Sequence, residues 1–151
     1  MNSDRIEKEI LLRAPRSRVW QALTDADKFG QWFGVKLTGS FAPGARMRGQ
    51  ITHKGYEHLP FEFTVERMEP EQLFSWRWHP YAIDMAVDYS GELTTLVVFE
   101  LEETVDGTRL TVVESGFEGI PPSRYPAAFR ANTNGWETQM KAIERYVAET
   151  A

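Results

Sequence analysis

The chain has 151 residues, of which 13% are aromatic, and a formal net charge of -5. It contains no cysteine, which excludes disulfides, thiolate zinc sites, iron–sulfur clusters and cysteine nucleophiles, and fits a reducing compartment. Acids and bases are mixed with no basic stripe, so nucleic acid is not an expected partner, and no apolar run approaches the ~20 residues of a membrane span.

This length suits a single domain over 1–151 with a core that needs no covalent staple. The opening MNSDRIEKEI is charged and has no apolar secretory segment. A cytoplasmic protein without membrane insertion is the expectation.

Ile6 to Leu12 reads as a strand, with Ile6, Ile10 and Leu12 on one face and Lys8 as the exception. Pro15 suits the first turn of a helix, where a missing N–H costs nothing. Val19, Trp20 and Leu23 give that helix its apolar side. Thr24 or Asp25 can cap a second short helix carrying Phe29, Trp32 and Phe33, which Gly30 weakens and Gly34 ends.

After Pro43-Gly44 the period becomes two. Met47, Gly49 and Ile51 alternate with polar residues, and Phe61, Phe63 and Val65 do the same after the loop HKGYEHLP. Glu69-Pro70-Glu71 turns the chain into FSWRWHP, which places Phe74, Trp76 and Trp78 on one face. Residues 80 to 93 are irregular. Thr95, Val97, Phe99 and Leu101 form the next inward face, Asp106-Gly107 signals a hairpin, and Leu110, Val112 and Glu114 return. Phe129, Thr133, Trp136, Met140, Ile143 and Val147 then form one stripe down a long helix over about 123 to 148. Gly135 costs that helix about 1 kcal/mol against alanine; close approach to the sheet would explain it.

The stretch APRSRVWQALTDADKFGQWF resembles the start of the START-like (SRPBCC, helix-grip) superfamily. DGTRLTVVESGF, followed by GWETQM, resembles its branch named for the activator of Hsp90 ATPase. The resemblance spans essentially the whole chain through three loose motifs in the right order, and matches only the second domain of the eukaryotic activator. It implies an α+β helix-grip fold. In that fold a curved antiparallel sheet of about six strands wraps around the long C-terminal helix, with two short helices after the first strand. It also implies a cavity between sheet and helix, which in the superfamily binds lipids, sterols, polyketides or other apolar molecules. Some branches are cyclases or hydratases.

If the sheet grips the helix, strand parity turns Ile51, Phe63, Phe74, Trp76, Trp78, Val97 and Phe99 inward. Trp136 and Met140 face them from the helix, and Trp32 and Phe33 close one end. Most such side chains fill cores; a few at the wide end would touch a ligand. The candidate ligand-binding residues are Trp32, Phe33, Phe63, Trp76, Trp78 and Phe99, with Glu114, Trp136 and Met140.

Glu114 shares parity with Leu110 and Val112, so it points inward. A buried carboxylate is costly unless it is hydrogen-bonded or paired. It could anchor a ligand or donate a proton. Alternatively it sits at a wet strand end beside an arginine such as Arg130. His53, His58 and Glu57 lie in or beside one loop, but their spacing is not that of a preorganised metal site, and no metal or cofactor is expected. His79 reads as a rim residue. G-x-S-x-G, GxxxxGK[ST] and GxGxxG are all absent. Tyr81, Asp84, Met85, Asp88 and Tyr89 lie in a segment that could cover a cavity mouth; a solvated loop is the preferred reading.

The expected function is non-enzymatic binding of a small apolar or aromatic molecule between the sheet and the C-terminal helix. One alternative is a cyclase or hydrolase using Glu114 in the same cavity. The other is a stress-related or chaperone-associated interaction module, the disfavoured partner class, which predicts an exposed apolar patch. The sequence leaves the oligomeric state open, a homodimer included.

Overall fold

The structure, a computed structural model, describes residues 5–84 and 86–149. Residues 1–4, which belong to the charged opening, and Met85 of the irregular segment lie outside the described residues.

Strand β1 (Ile6–Leu12) is followed by helices α1 (Arg16–Thr24) and α2 (Ala26–Phe33) and strand β2 (Val35–Thr38). Strands β3 (Arg46–Ile51), β4 (Pro60–Glu69), β5 (Leu73–Trp78), β6 (Thr95–Thr104) and β7 (Gly107–Ser115) follow, then helix α3 (Tyr125–Glu149). The seven strands form one antiparallel sheet in the order β1-β7-β6-β5-β4-β3-β2. β1 and β2 therefore occupy opposite edges, and α1 and α2 carry the chain across one face between them. α3 packs against β1, α1 and α2. This is the expected α+β helix-grip architecture, with seven strands rather than about six.

The additional strand is β2. Its four residues offer only Val35 and Leu37 as inward positions, too few for a periodic signal. It forms because the helix before it ends sharply. Gly34 takes φ +90, a left-handed cap that favours glycine. At the other end of α2, Asp25 rather than Thr24 is the cap, accepting from the Asp27 and Lys28 backbone N–H groups at 3.0 Å each. Thr24 instead donates to the Trp20 carbonyl at 2.7 Å.

The hairpin between β6 and β7 is present, but its two turn residues are Val105 and Asp106, since Thr104 pairs with Gly107. Gly107 is required by proximity. A Cβ there would stand 2.1 Å from the Leu12 carbonyl oxygen of β1.

The inward parity of FSWRW holds, with Phe74 and Trp76 fully buried and Trp78 partly buried. A bulge at Glu66 shifts the pairing of β4 with β5, so Phe63, Val65 and, beyond the bulge, Met68 share one face.

Candidate functional site

The interior between sheet and helices is filled by aromatic rings packed face-on and edge-on. Trp76 lies against Phe63, with centroids 4.3 Å apart and planes 18° apart. It also touches Phe99 at 5.2 Å, Trp78 at 5.4 Å and Phe29 at 5.8 Å. Offset and edge-on pairs of this kind add to the burial of large apolar area. Trp76, Phe63 and Phe99 are thus centres of a packed core. Trp32 is buried too, its indole N–H donating to the Ala22 carbonyl at 2.7 Å, and Met140 is 4% exposed.

At one end of this core the packing opens. A cleft of about 90 Å³ lies between α2, the end of β5 and α3, lined by Phe33, Trp78, Asn132, Gly135, Trp136 and Gln139. Trp78 and Trp136 have centroids 6.0 Å apart at 34°, and Phe33 stands 6.1 Å from Trp136 at 66°. Gln139 donates to the Phe33 carbonyl at 3.0 Å, fixing the end of α2 against α3. Gly135 was expected to bring α3 close to the sheet. Instead, a Cβ there would meet nothing within 4 Å, and the missing side chain leaves the cleft open.

Glu114 lies behind this cleft and is fully buried. One oxygen accepts from the Trp78 indole at 2.7 Å and the Thr95 hydroxyl at 2.5 Å. The other accepts from the Trp136 indole at 2.8 Å and the Asn132 amide at 2.9 Å. Indole and amide N–H groups can only donate, so the cage matches an acceptor-only carboxylate and uses its four lone-pair positions. The side chain thereby ties β5, β6 and α3 to β7. Arg130 is exposed and is not among these partners.

Of the nine ligand-binding candidates, Phe33, Trp78 and Trp136 line the cleft and Glu114 supports two of them from behind. Trp32, Phe63, Trp76, Phe99 and Met140 lie in the surrounding core. Asn132 and Gln139 went unrecognised in the sequence, and Gly135 was read only as easing approach to the sheet, although a signal for all three was present. They step by three and four along the flank of the stripe that contains Trp136 and Met140.

The loop histidines do not gather a site. Among the described residues no group of three or more His, Asp or Glu side chains is placed to hold a metal. Glu57 is engaged locally: its own and the Gly55 backbone N–H groups hold its carboxyl below the usual range. None of the described residues of segment 80–94 lines the cleft. The segment is held by Arg124, which bonds Glu92 at 2.8 Å and the Tyr81 carbonyl at 3.0 Å and lies over the Tyr89 ring at 4.6 Å. A larger hollow of about 550 Å³ opens on the outer face of β6 and β7, where Arg109 and Glu102 pair at 2.6 Å.

A family model described as activator of Hsp90 ATPase homolog 1-like protein matches residues 13–148. The chain belongs to that family. Solved structures carry the same fold. A Mesorhizobium loti protein superposes with a TM-score of 0.75 at 24% identity, covering 97% of this chain and 98% of its own. A protein of the dynemicin biosynthetic locus gives a TM-score of 0.72 at 25% identity, over 96% of this chain and 47% of its own. The Aha1 dimer from Colwellia psychrerythraea gives 0.68 at 18% identity, over 93% and 92%. Among curated proteins none matches the chain. The fold of this family is consistent with ligand binding or with a polyketide cyclase-like role, and by itself shows no specific function. No helix among the described residues is long and apolar enough to cross a membrane.

Proposed function

We propose that this member of the activator of Hsp90 ATPase homolog 1-like family binds a small apolar or aromatic group, without chemical conversion, in the cleft between β5, α2 and α3. The observation that carries this reading is the three-ring wall of Phe33, Trp78 and Trp136 around an opening with two polar amides at its edge. Apolar walls with a few placed polar groups are the usual form of such sites. A volume near 90 Å³ is a few waters' worth. It suits the end of a molecule rather than a whole sterol or fatty acid.

The cyclase or hydrolase alternative ranks lower. Glu114 has all four acceptor positions occupied by internal donors and does not line the cleft. General acid–base work needs a group within reach of the reacting atom.

The test is tryptophan fluorescence titrated with naphthalene and with short-chain fatty acids, on the wild type and on Gly135→Leu, whose side chain would occupy the cleft. Saturable quenching that disappears in Gly135→Leu is expected, with unchanged circular dichroism. No quenching, or the same quenching in the variant, overturns the reading.

A second reading, the interaction module, has one observation in its favour. Tyr81, Ile83, Val87 and Leu93 are 40%, 42%, 44% and 67% exposed on one segment. The occupant would be a second copy of the chain, as the Colwellia neighbour is a dimer. Light scattering should then show a dimer that Leu93→Ser with Val87→Ser converts to monomer; a wild-type monomer removes this reading.

A further inference from the structure

Glu114 is buried with four neutral donors, and no ion pair among the described residues includes it. A carboxylate without a cationic partner in an apolar interior is an unbalanced charge. Both indoles that wall the cleft donate their only N–H groups to it, at 2.7 Å and 2.8 Å. Three consequences follow.

First, the indole edges are turned inward, so a ligand in the cleft meets ring surface instead of an N–H donor. Second, a carboxylate on the N–H polarises each ring toward greater electron density on its faces, the side that attracts cations. Third, the lining set contains no lysine or arginine that would repel a positive charge, and its amides, Asn132 and Gln139, are neutral.

Resting on the cleft being a ligand site, we infer that its preferred occupant is the head of an organic cation without N–H donors, such as a trimethylammonium. The head would lie among Phe33, Trp78 and Trp136 while the rest of the molecule extends outward. Trp78 and Trp136 supply ring surface, and Glu114 supplies the balancing charge without touching the ligand. A trimethylammonium head has no donor to satisfy, which matches a wall that offers no charged acceptor.

The experiment compares phenyltrimethylammonium with tert-butylbenzene, its neutral isostere, by tryptophan fluorescence on the wild-type protein. The cation should bind about tenfold more tightly, and the preference should survive half-molar sodium chloride because the charge behind it is buried. Equal affinity, or tighter binding of tert-butylbenzene, overturns the cation inference and leaves the apolar cleft standing. If neither probe binds, both readings fall. A second variant probes the carboxylate. If Glu114→Gln retains the native near-ultraviolet circular dichroism, its cation preference should shrink to about twofold, and an undiminished preference overturns the role given to Glu114. If that variant does not fold, the isosteric pair on the wild type decides.

Discussion

Glu114 shows how one side chain can hold a fold and shape a site together. Its four bonds join residues that lie 18 to 36 positions away in the chain. Replacing it with leucine would strand two indole N–H groups, an amide and a hydroxyl, each costly when buried and unpaired. Glu114→Leu should lose about 3–5 kcal/mol in urea unfolding, well beyond a surface substitution. Trp76 is a contrasting case. It is fully buried and outside the cleft, and its indole nitrogen makes no hydrogen bond. Trp76→Phe should therefore change stability by about 1–3 kcal/mol while leaving ligand affinity nearly unaltered. A large loss of affinity without loss of stability would place Trp76 in the site after all.

Helix α3 carries a glycine at a position that nothing crowds. Gly135→Ala should raise stability by about 1 kcal/mol through helix propensity, and at the same time weaken binding, since the new methyl group enters the cleft. Measuring unfolding and titration on the same variant checks the opposed signs. In the sheet, Glu62 on β4 pairs with Arg48 at 2.9 Å and with Arg46, both on β3. Partial burial pushes its carboxyl up, but the hydrogen bonds and charges of Arg48 and Arg46 outweigh this and hold it below the usual range. A depressed folded-state value means the contribution is present above about pH 4 and is lost as pH falls through the folded value. The three side chains are largely solvated, so the effect should stay within about 1 kcal/mol. Wild type and Glu62→Gln should thus differ in stability at pH 7 and converge near pH 2.

Several contacts restrain the long irregular segment before β6, among them the His79 ring with the Glu92 carbonyl oxygen at 3.0 Å, and Arg124 gathers three more. Arg124, just before α3, joins Glu92, the Tyr81 carbonyl and the Tyr89 ring, and the ion pair is only 17% and 18% exposed. Arg124→Ala should speed amide hydrogen exchange across residues 80–94 selectively, leaving β6 and β7 protected, with a global loss of about 1–2 kcal/mol. Uniform acceleration would show instead that the clamp belongs to the global folding unit. The same global view explains the path of α1 and α2. With β1 and β2 on opposite edges, the two helices must cross the sheet, and this crossing brings Phe33 to Trp136.

Period-two and period-3.6 patterning alone specified most of the elements, the inward face of β5 and the inward direction of Glu114, because side-chain direction in a strand or helix is a local property. The brief strand β2 escaped because four residues cannot establish a period. Whether the aromatic face encloses a hollow or a packed interior could not be read locally. It depends on how rings from α2, β4, β5 and α3 interlock, and those rings meet only after the sheet curls. The partners of Glu114 were hidden for the same reason. Parity said that a carboxylate points inward, but only the folded arrangement set two indoles, an amide and a hydroxyl around it and left Gly135 open beside them.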